Sequence, residues 1–134
     1  METKPVLIID DDEISQMVLS VQLEKIVNTD DIIIKDDGAK ALLFLDNILA
    51  HQKEKPCLIF LDLNMPQVSG YDFIKIYEEV YAPLLPNAQL MILTSSVRKK
   101  DQEMAKHYHS VKGYYKKPLE EFQLKEIMTI VESV

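Results

Sequence analysis

The sequence predicts an α/β chain folded as a doubly wound, five-stranded parallel sheet in the order 2-1-3-4-5. Three observations lead there. Five short apolar runs alternate with five longer segments of helical periodicity. The runs are nearly continuous in apolar residues, as strands covered on both faces require. No repeat, low-complexity tract or linker interrupts the 134 residues, so a single domain over 1–134 is expected, with no output domain. Right-handed crossovers between parallel strands then leave few topologies, and five strands suit this one.

VLIID (6–10) is an apolar run ending in acid. Over 14–27, Ile14, Met17, Val18, Val21 and Leu23 to Ile26 fall on a helical stripe. DIIIK (31–35) is β-branched and strand-like, and 38–52 reads as a helix. CLIFLDL (57–63) is the third strand, and 70–81 is a helix with Phe73, Ile74 and Tyr77 inward. Pro83 and Pro86 then mark a helix stop and a loop. QLMILTS (89–95) is the fourth strand, 98–109 a charged helix, GYYK (113–116) a short fifth strand, and 119–133 the last helix.

Composition narrows the function classes. The apolar fraction of 47% and charged fraction of 28% are those of an ordinary globular domain. No run approaches the roughly 20 apolar residues that span a bilayer. The N-terminus carries acids directly after its short apolar run, unlike a secretory signal. Cys57, the only cysteine, lies in an apolar segment and reads as a buried reduced thiol. A cytoplasmic protein without membrane contact is expected. A net charge of −7 argues against nucleic acid as a direct partner. The charge is uneven: −9 over 1–97, +5 over 98–117 and −3 over the remainder. The basic segment reads as a solvated helix or a protein-contact face. His107 and His109 on it read as surface or partly buried residues.

In a sheet of this order, ligands bind beyond the carboxyl ends of the strands, near the switch point between strands 1 and 3. Polar residues gather at those ends. Strand 1 leads into Asp10-Asp11-Asp12-Glu13, strand 3 into Asp62, strand 4 into Thr94-Ser95-Ser96, and strand 5 into Lys116-Lys117-Pro118. Each has an ordinary explanation alone: acids and hydroxyls cap helices, and lysines are usually solvated. Their coincidence at one sheet edge does not. Adjacent strands bring Asp10 or Asp11 opposite Asp62, and such carboxylates repel without a proton or cation between them. Oxygen-only ligands in an open cleft favour Mg²⁺. Thr94 adds a hydroxyl and Lys117 a point charge, so the set forms a cradle for a phosphoryl group, with Asp62 left as nucleophile.

These motifs, VLIIDDDE, IFLDLNMPQVSGYDF, ILTSS and KGYYKKPL, resemble the receiver domain of two-component response regulators along nearly the whole chain. The resemblance implies a flavodoxin-like (βα)5 fold and a signalling domain that catalyses only its own phosphorylation and slow dephosphorylation. It implies that Asp62 accepts a phosphoryl group from a phosphohistidine on a histidine kinase or histidine phosphotransfer protein. Asp11 would ligate Mg²⁺ directly, Asp10 through water, and Asn64 through its backbone carbonyl. Thr94, Ser95 and Lys117 would meet the phosphoryl group, and Lys117-Pro118 would be a cis peptide. Thr94 and Tyr114 match the switch pair that repacks the face of helix 98–109, strand 113–116 and helix 119–133 for a downstream protein. Asn64 and Ser96 stand where hydrolysis is tuned, and neither is a good general base. The triple aspartate leaves two registers for the metal pair, Asp10/Asp11 or Asp11/Asp12; Asp10 ends the apolar run directly and favours the first.

Rival readings fit less well. Haloacid-dehalogenase-like phosphatases share an Asp nucleophile, Mg²⁺, a Ser/Thr and a Lys, but place the nucleophile in the first strand and usually in a DxD motif. Here Asn64 holds the third position. A flavodoxin-like binding module needs a phosphate-binding loop where DDDEIS stands, and that loop repels phosphate without a cation. A degenerate receiver serving only as an interaction module would not keep the full set. Met1, five residues before strand 1, fits a natural start of a single-domain regulator.

Overall fold

Val6–Ile9 (β1) is four apolar residues in a row, all buried. A strand buried on both faces must lie inside a sheet, and β1 does. It pairs in parallel with β2 (Ile32–Lys35) on one side and β3 (Leu58–Leu61) on the other. Beyond β3 come β4 (Gln89–Thr94) and β5 (Val111–Lys116). The observed order is β2-β1-β3-β4-β5, as the sequence pattern predicts. This computed structural model describes residues 5–65, 69–96 and 98–133. The N-terminal METK, the Pro66 to Val68 part of the second motif, Val97 and Val134 lie outside them.

Alternate residues of each strand feed two separate cores, because successive side chains point to opposite faces. Leu7, Ile9, Ile59 and Leu61 pack with Ala41, Leu45 and Ile48 of α2 (Gly38–Ala50) and Phe73 and Ile74 of α3 (Gly70–Ile76). Val6, Ile8, Leu58 and Phe60 pack with Leu19 and Leu23 of α1 (Glu13–Leu23) and Leu124, Ile127 and Val131 of α5 (Glu121–Glu132). Each fully buried Leu, Ile or Phe side chain contributes about 1.5–3 kcal/mol relative to exposure. The fourth helix, α4 (Lys99–Lys106), inserts only Ala105 into the first core and buries Asp101.

Helix starts follow the side-chain chemistry of caps. Asp12, Asp37 and Ser69 each accept a backbone N–H from the first turn of α1, α2 and α3. Glu120 and Gln123 cap α5 reciprocally.

The apolar stripe of the first helix does not face the core as its periodicity suggests. Leu19 and Leu23 are buried, whereas Ile14, Met17, Val18, Val21 and Ile26 are exposed, Ile14 by 71%. Apolar residues occupy more than half the helix circumference, so periodicity alone cannot choose the buried arc. The helix also ends at Leu23, not at 27, and a short 3-10 turn, Thr29–Asp31, precedes β2. The third helix runs regularly only to Ile76. It widens into a π turn, Tyr77–Tyr81, and a 3-10 turn, Ala82–Leu84. Pro83 lacks an N–H and crowds the carbonyl four residues back, which a regular α turn cannot absorb. Phe73, Tyr77 and Tyr81 stack along this segment at 5.8 and 6.4 Å between ring centroids. Phe73, Ile74 and Tyr77 are buried as expected. The fourth helix is shorter than 98–109, and β5 begins at Val111 rather than 113.

Candidate functional site

Asp10, Asp62 and Lys117 each stand one residue past a strand end, and backbone hydrogen bonds from neighbouring strands hold all three. Asp10 N–H donates to the Lys35 carbonyl (3.1 Å), Asp62 N–H to Ile9 (3.0 Å) and Lys117 N–H to Thr94 (2.8 Å). Their side chains therefore leave a rigid sheet edge, which is the precondition for a preorganised polar site.

Asp10 and Asp62 are 5% and 6% exposed, so an isolated charge on either would be costly. Lys117 answers both. Its Nζ lies 2.7 Å from Asp10 Oδ2 and 3.0 Å from Asp62 Oδ2, and donates as well to Ser15 Oγ at 3.2 Å. The second oxygen of each carboxylate accepts a backbone N–H: Asp12 N to Asp10 Oδ1 (2.9 Å) and Asn64 N to Asp62 Oδ1 (3.2 Å). Gln16 Nε2 donates to the Asp10 carbonyl at 2.6 Å and ties the start of α1 to the strand end.

Burial raises the Asp10 carboxyl pKa, and the hydrogen bond from Lys117 only partly offsets it. Burial also pulls the Lys117 pKa down, but the hydrogen bonds and charges of Asp10 and Asp62 outweigh it and leave Lys117 raised. The lysine is therefore held as an ammonium.

Asp11 points outward and is exposed, yet it completes a carboxylate group with the other two. Oxygens of Asp10, Asp11 and Asp62 all lie within 4.8 Å of one another. Three carboxylates against one ammonium leave two negative charges uncompensated. That deficit and the all-oxygen donor set fit a divalent hard cation such as Mg²⁺. Asp12 is not among them: it caps α1 by accepting Ile14 N–H and bonds Ser15 Oγ. Of the two metal-pair registers, the geometry thus assembles Asp10/Asp11.

Thr94 is fully buried at the end of β4, and its Oγ1 accepts the N–H of Ser96 at 3.3 Å. Ser95 between them is exposed at the rim. Ser15, Ser95, Lys117 and Pro118 edge a groove of about 280 Å³ whose walls are Ile14, Val18, Leu93 and Leu119. Tyr114 is half-buried, and its hydroxyl donates to the Ser96 carbonyl at 3.3 Å. Asn64 is exposed beside Asp62. The Lys117-Pro118 peptide is cis.

Sequence reasoning missed three members of this region. Ser15 and Gln16 brace Lys117 and Asp10 from α1, and their spacing from the acids follows only once the helix start is fixed. Asp101, 3% exposed, receives the hydroxyls of Tyr71 and Ser96 and the Arg98 Nε. Tyr71 lies 30 residues away in sequence, and no local pattern signals that meeting. Among the described residues, Arg98, which immediately precedes α4, pairs with Asp101 in its first turn, and no ion pair joins the basic segment to acids of α5. Cys57 is half-buried rather than buried, and its Sγ donates to the Pro5 carbonyl at 3.5 Å. No helix of the described residues is long and apolar enough to cross a membrane.

Comparison with known proteins agrees with this geometry. The model of the response regulator receiver domain matches residues 6–129. A two-component response regulator from Cytophaga hutchinsonii is 26% identical, with a TM-score of 0.85 and full coverage of both chains. The bacteriophytochrome response regulator RtBRR is 29% identical, covering 97% of this chain and 78% of its own, with a TM-score of 0.77. A two-component response regulator from Legionella pneumophila, 24% identical over 98% of this chain and 100% of its own, has the same fold with a TM-score of 0.78. Curated protein sequences give no match. With the sheet order, the acidic edge and the match over nearly all its length in agreement, the chain belongs to the response regulator receiver domain family.

Proposed function

We propose that Asp62 is the phosphoacceptor of a two-component phosphorelay, within a single receiver domain that works in the cytoplasm. The observation that carries this is the pairing of a nearly buried Asp62 carboxylate with Lys117 beside two further carboxylates, at the edge where this fold binds ligands. In the reaction, an Asp62 oxygen attacks the phosphorus of a phosphohistidine. The O–P bond forms as the P–N bond breaks, the electron pair stays on the imidazole nitrogen, and the product is an acyl phosphate.

This chain's residues supply charge and position. Asp11 would ligate Mg²⁺ directly, Asp10 through water, and Asn64 through its carbonyl. The bound ion would add positive charge to the phosphoryl oxygens. Lys117 exchanges the Asp62 oxygen for a phosphoryl oxygen and so keeps its charge on the reacting group. Thr94 has its oxygen engaged by Ser96 N–H, which leaves its hydroxyl proton to donate to the phosphoryl group. Small Ser95 leaves room at the rim.

The donor is a histidine kinase or histidine phosphotransfer protein. The exposed apolar residues of α1 and the groove beside them run directly into Ser95 and Lys117, which gives a donor a surface continuous with the site. Downstream, Thr94 and Tyr114 both bond Ser96, so drawing Thr94 toward the phosphoryl group disturbs the partner of the Tyr114 hydroxyl. Tyr114 then moves inward, and the face of α4, β5 and α5 repacks for a downstream protein. This is a population shift driven by contacts that only the phosphorylated site makes.

Intact-mass spectrometry after incubation with acetyl phosphate and Mg²⁺ tests the reading. One phosphoryl adduct is expected, lost with EDTA and lost in Asp62→Asn. A chain that stays at its unmodified mass with Mg²⁺ present refutes it.

A further inference from the structure

We infer that Ser15 is a positioning residue for phosphoryl transfer. Its hydroxyl oxygen holds the Lys117 ammonium in place while that ammonium passes from Asp62 to the phosphoryl group. The inference rests on the reading of Asp62 as phosphoacceptor. An ammonium has three protons to donate, and each proton of Lys117 has its own acceptor. They are Asp10 Oδ2 at 2.7 Å, Asp62 Oδ2 at 3.0 Å and Ser15 Oγ at 3.2 Å.

The three acceptors differ in what the reaction does to them. In transfer from acetyl phosphate, an Asp62 oxygen bonds phosphorus as the bond from phosphorus to the acetate oxygen breaks. The electron pair leaves with acetate, and Asp62 loses its charge as a carboxylate. Asp10 would be shared with the metal ion. Ser15 forms no bond, changes no charge and ligates nothing, so its hold on the ammonium stays the same from start to end. A lysine is a point charge on a flexible four-carbon stem, and it needs such a hold to meet the reacting oxygens.

The start of α1 fixes the Ser15 oxygen for this. A serine hydroxyl has one proton and two lone pairs. The proton goes to Asp12 Oδ2 at 3.0 Å, while Asp12 Oδ1 accepts Ile14 N–H at 3.0 Å and caps the helix. A lone pair is thus what Ser15 presents to Lys117. Two turns further along α1, Gln22 Nε2 donates to the Leu119 carbonyl at 2.6 Å. The helix therefore grips the chain at Lys117 and again at Leu119, which keeps Ser15 Oγ opposite the ammonium. The third aspartate of the run acts on the site through Ser15, not as a ligand.

Adduct formation from acetyl phosphate at saturating Mg²⁺, followed by intact mass, tests this in Ser15→Ala, Ser15→Thr and Ser15→Val. Threonine keeps the hydroxyl, and valine has nearly the same shape without it. A groove of about 280 Å³ beside Ser15 leaves room for the added methyl group. Ser15→Ala and Ser15→Val should form the adduct about three- to ten-fold more slowly than wild type, the worth of one hydrogen bond. Ser15→Thr should stay within about two-fold of wild type. In Lys117→Met, adding Ser15→Ala should slow nothing further, because the group it positions is gone. In EDTA, acetic anhydride labelling of Lys117, mapped by peptide mass, should be faster in Ser15→Val than in Ser15→Thr. That labelling reads the hold on the amine apart from any phosphorylation. Ser15→Val as fast as Ser15→Thr in forming the adduct overturns the inference, and so does equal labelling of the two. Further slowing in the Lys117→Met background also overturns it, and the Thr/Val pair decides even where that background forms too little adduct to follow. Absence of any adduct on the wild type would instead remove the phosphoacceptor reading beneath it.

Discussion

Lys117 Nζ sits 3.0 Å from Asp62 Oδ2, and the two side chains are 16% and 7% exposed. The same ammonium reaches Asp10. It is thus the counter-charge of two nearly buried carboxylates. A buried pair broken from one side is more costly than one never made, because a charge is left without a partner. Lys117→Met should therefore lower stability on the order of 2–3 kcal/mol in urea unfolding without divalent cation, below the ~3–5 kcal/mol of a fully enclosed pair because the site opens to water on one side. Mg²⁺ should recover much of that loss, since it binds the folded carboxylates and not the unfolded chain. A variant that matches wild type in EDTA would show that the pair contributes nothing to the resting fold.

The two arcs of α1 should respond in opposite ways. Leu23→Ala removes a fully buried side chain and should cost about 2–5 kcal/mol. Met17→Gln changes a residue that is 61% exposed and should stay within about 0.5 kcal/mol of wild type. Thermal and urea unfolding of the two variants measure this directly. Equal, large losses would mean that the helix buries the other arc.

That helix marks the limit of what the sequence discloses. Strands β1, β3 and β4 were legible because a run such as LIFL can only be satisfied between two covering layers, and the order followed from their connections. Asp62, Thr94 and Lys117 were legible for the same reason: polar residues at the ends of apolar strands stand out. The orientation of α1 was not, because an apolar arc broader than the core can hold leaves the buried side undetermined. Nor was the π turn at Tyr77–Tyr81, which depends on how Pro83 and three stacked rings settle together. Asp101 was hidden most deeply. In sequence it is one acid in a basic helix, and only the fold brings Tyr71 to it.

Asp101 also carries a pH signature. Hydrogen bonds from Ser96 and then Tyr71 lower its carboxyl pKa below 3.8, against the opposing effect of burial. The unfolded chain binds the proton more readily, so the stabilisation is complete above pH 3.8 and fades as pH falls through the lower, folded value. Asp101→Asn has no such titration. Its stability deficit relative to wild type should be constant near neutrality and shrink below pH 3.8. Denaturant unfolding of both proteins across pH 3–7 reads the difference, in which the other carboxylates cancel. A deficit that stays constant down to pH 3 would assign the lowered pKa elsewhere.

Gly70 connects the fold to the site most tightly. A Cβ there would lie 2.4 Å from the Leu63 Cα and 2.7 Å from the Asp62 carbonyl oxygen. Both are backbone atoms just past β3, and neither can turn aside as a side chain would. Gly70 N–H also bonds the Leu63 carbonyl at 3.1 Å, so the helix start is fixed against that segment. Gly70→Ala must therefore push α3 off the strand end and displace the backbone that carries Asp62. Gly113 offers the comparison, since a Cβ there meets only side-chain atoms of Tyr115 and Met91, at 2.7 and 3.0 Å. Gly70→Ala should lose about 2–3 kcal/mol and form the phosphoryl adduct more slowly, whereas Gly113→Ala should lose about 1 kcal/mol or less. Urea unfolding and adduct formation on the two variants decide it. If Gly70→Ala proved as stable and as reactive as Gly113→Ala, the close approach of α3 to the Asp62 segment would not be what sets the carboxylate in place.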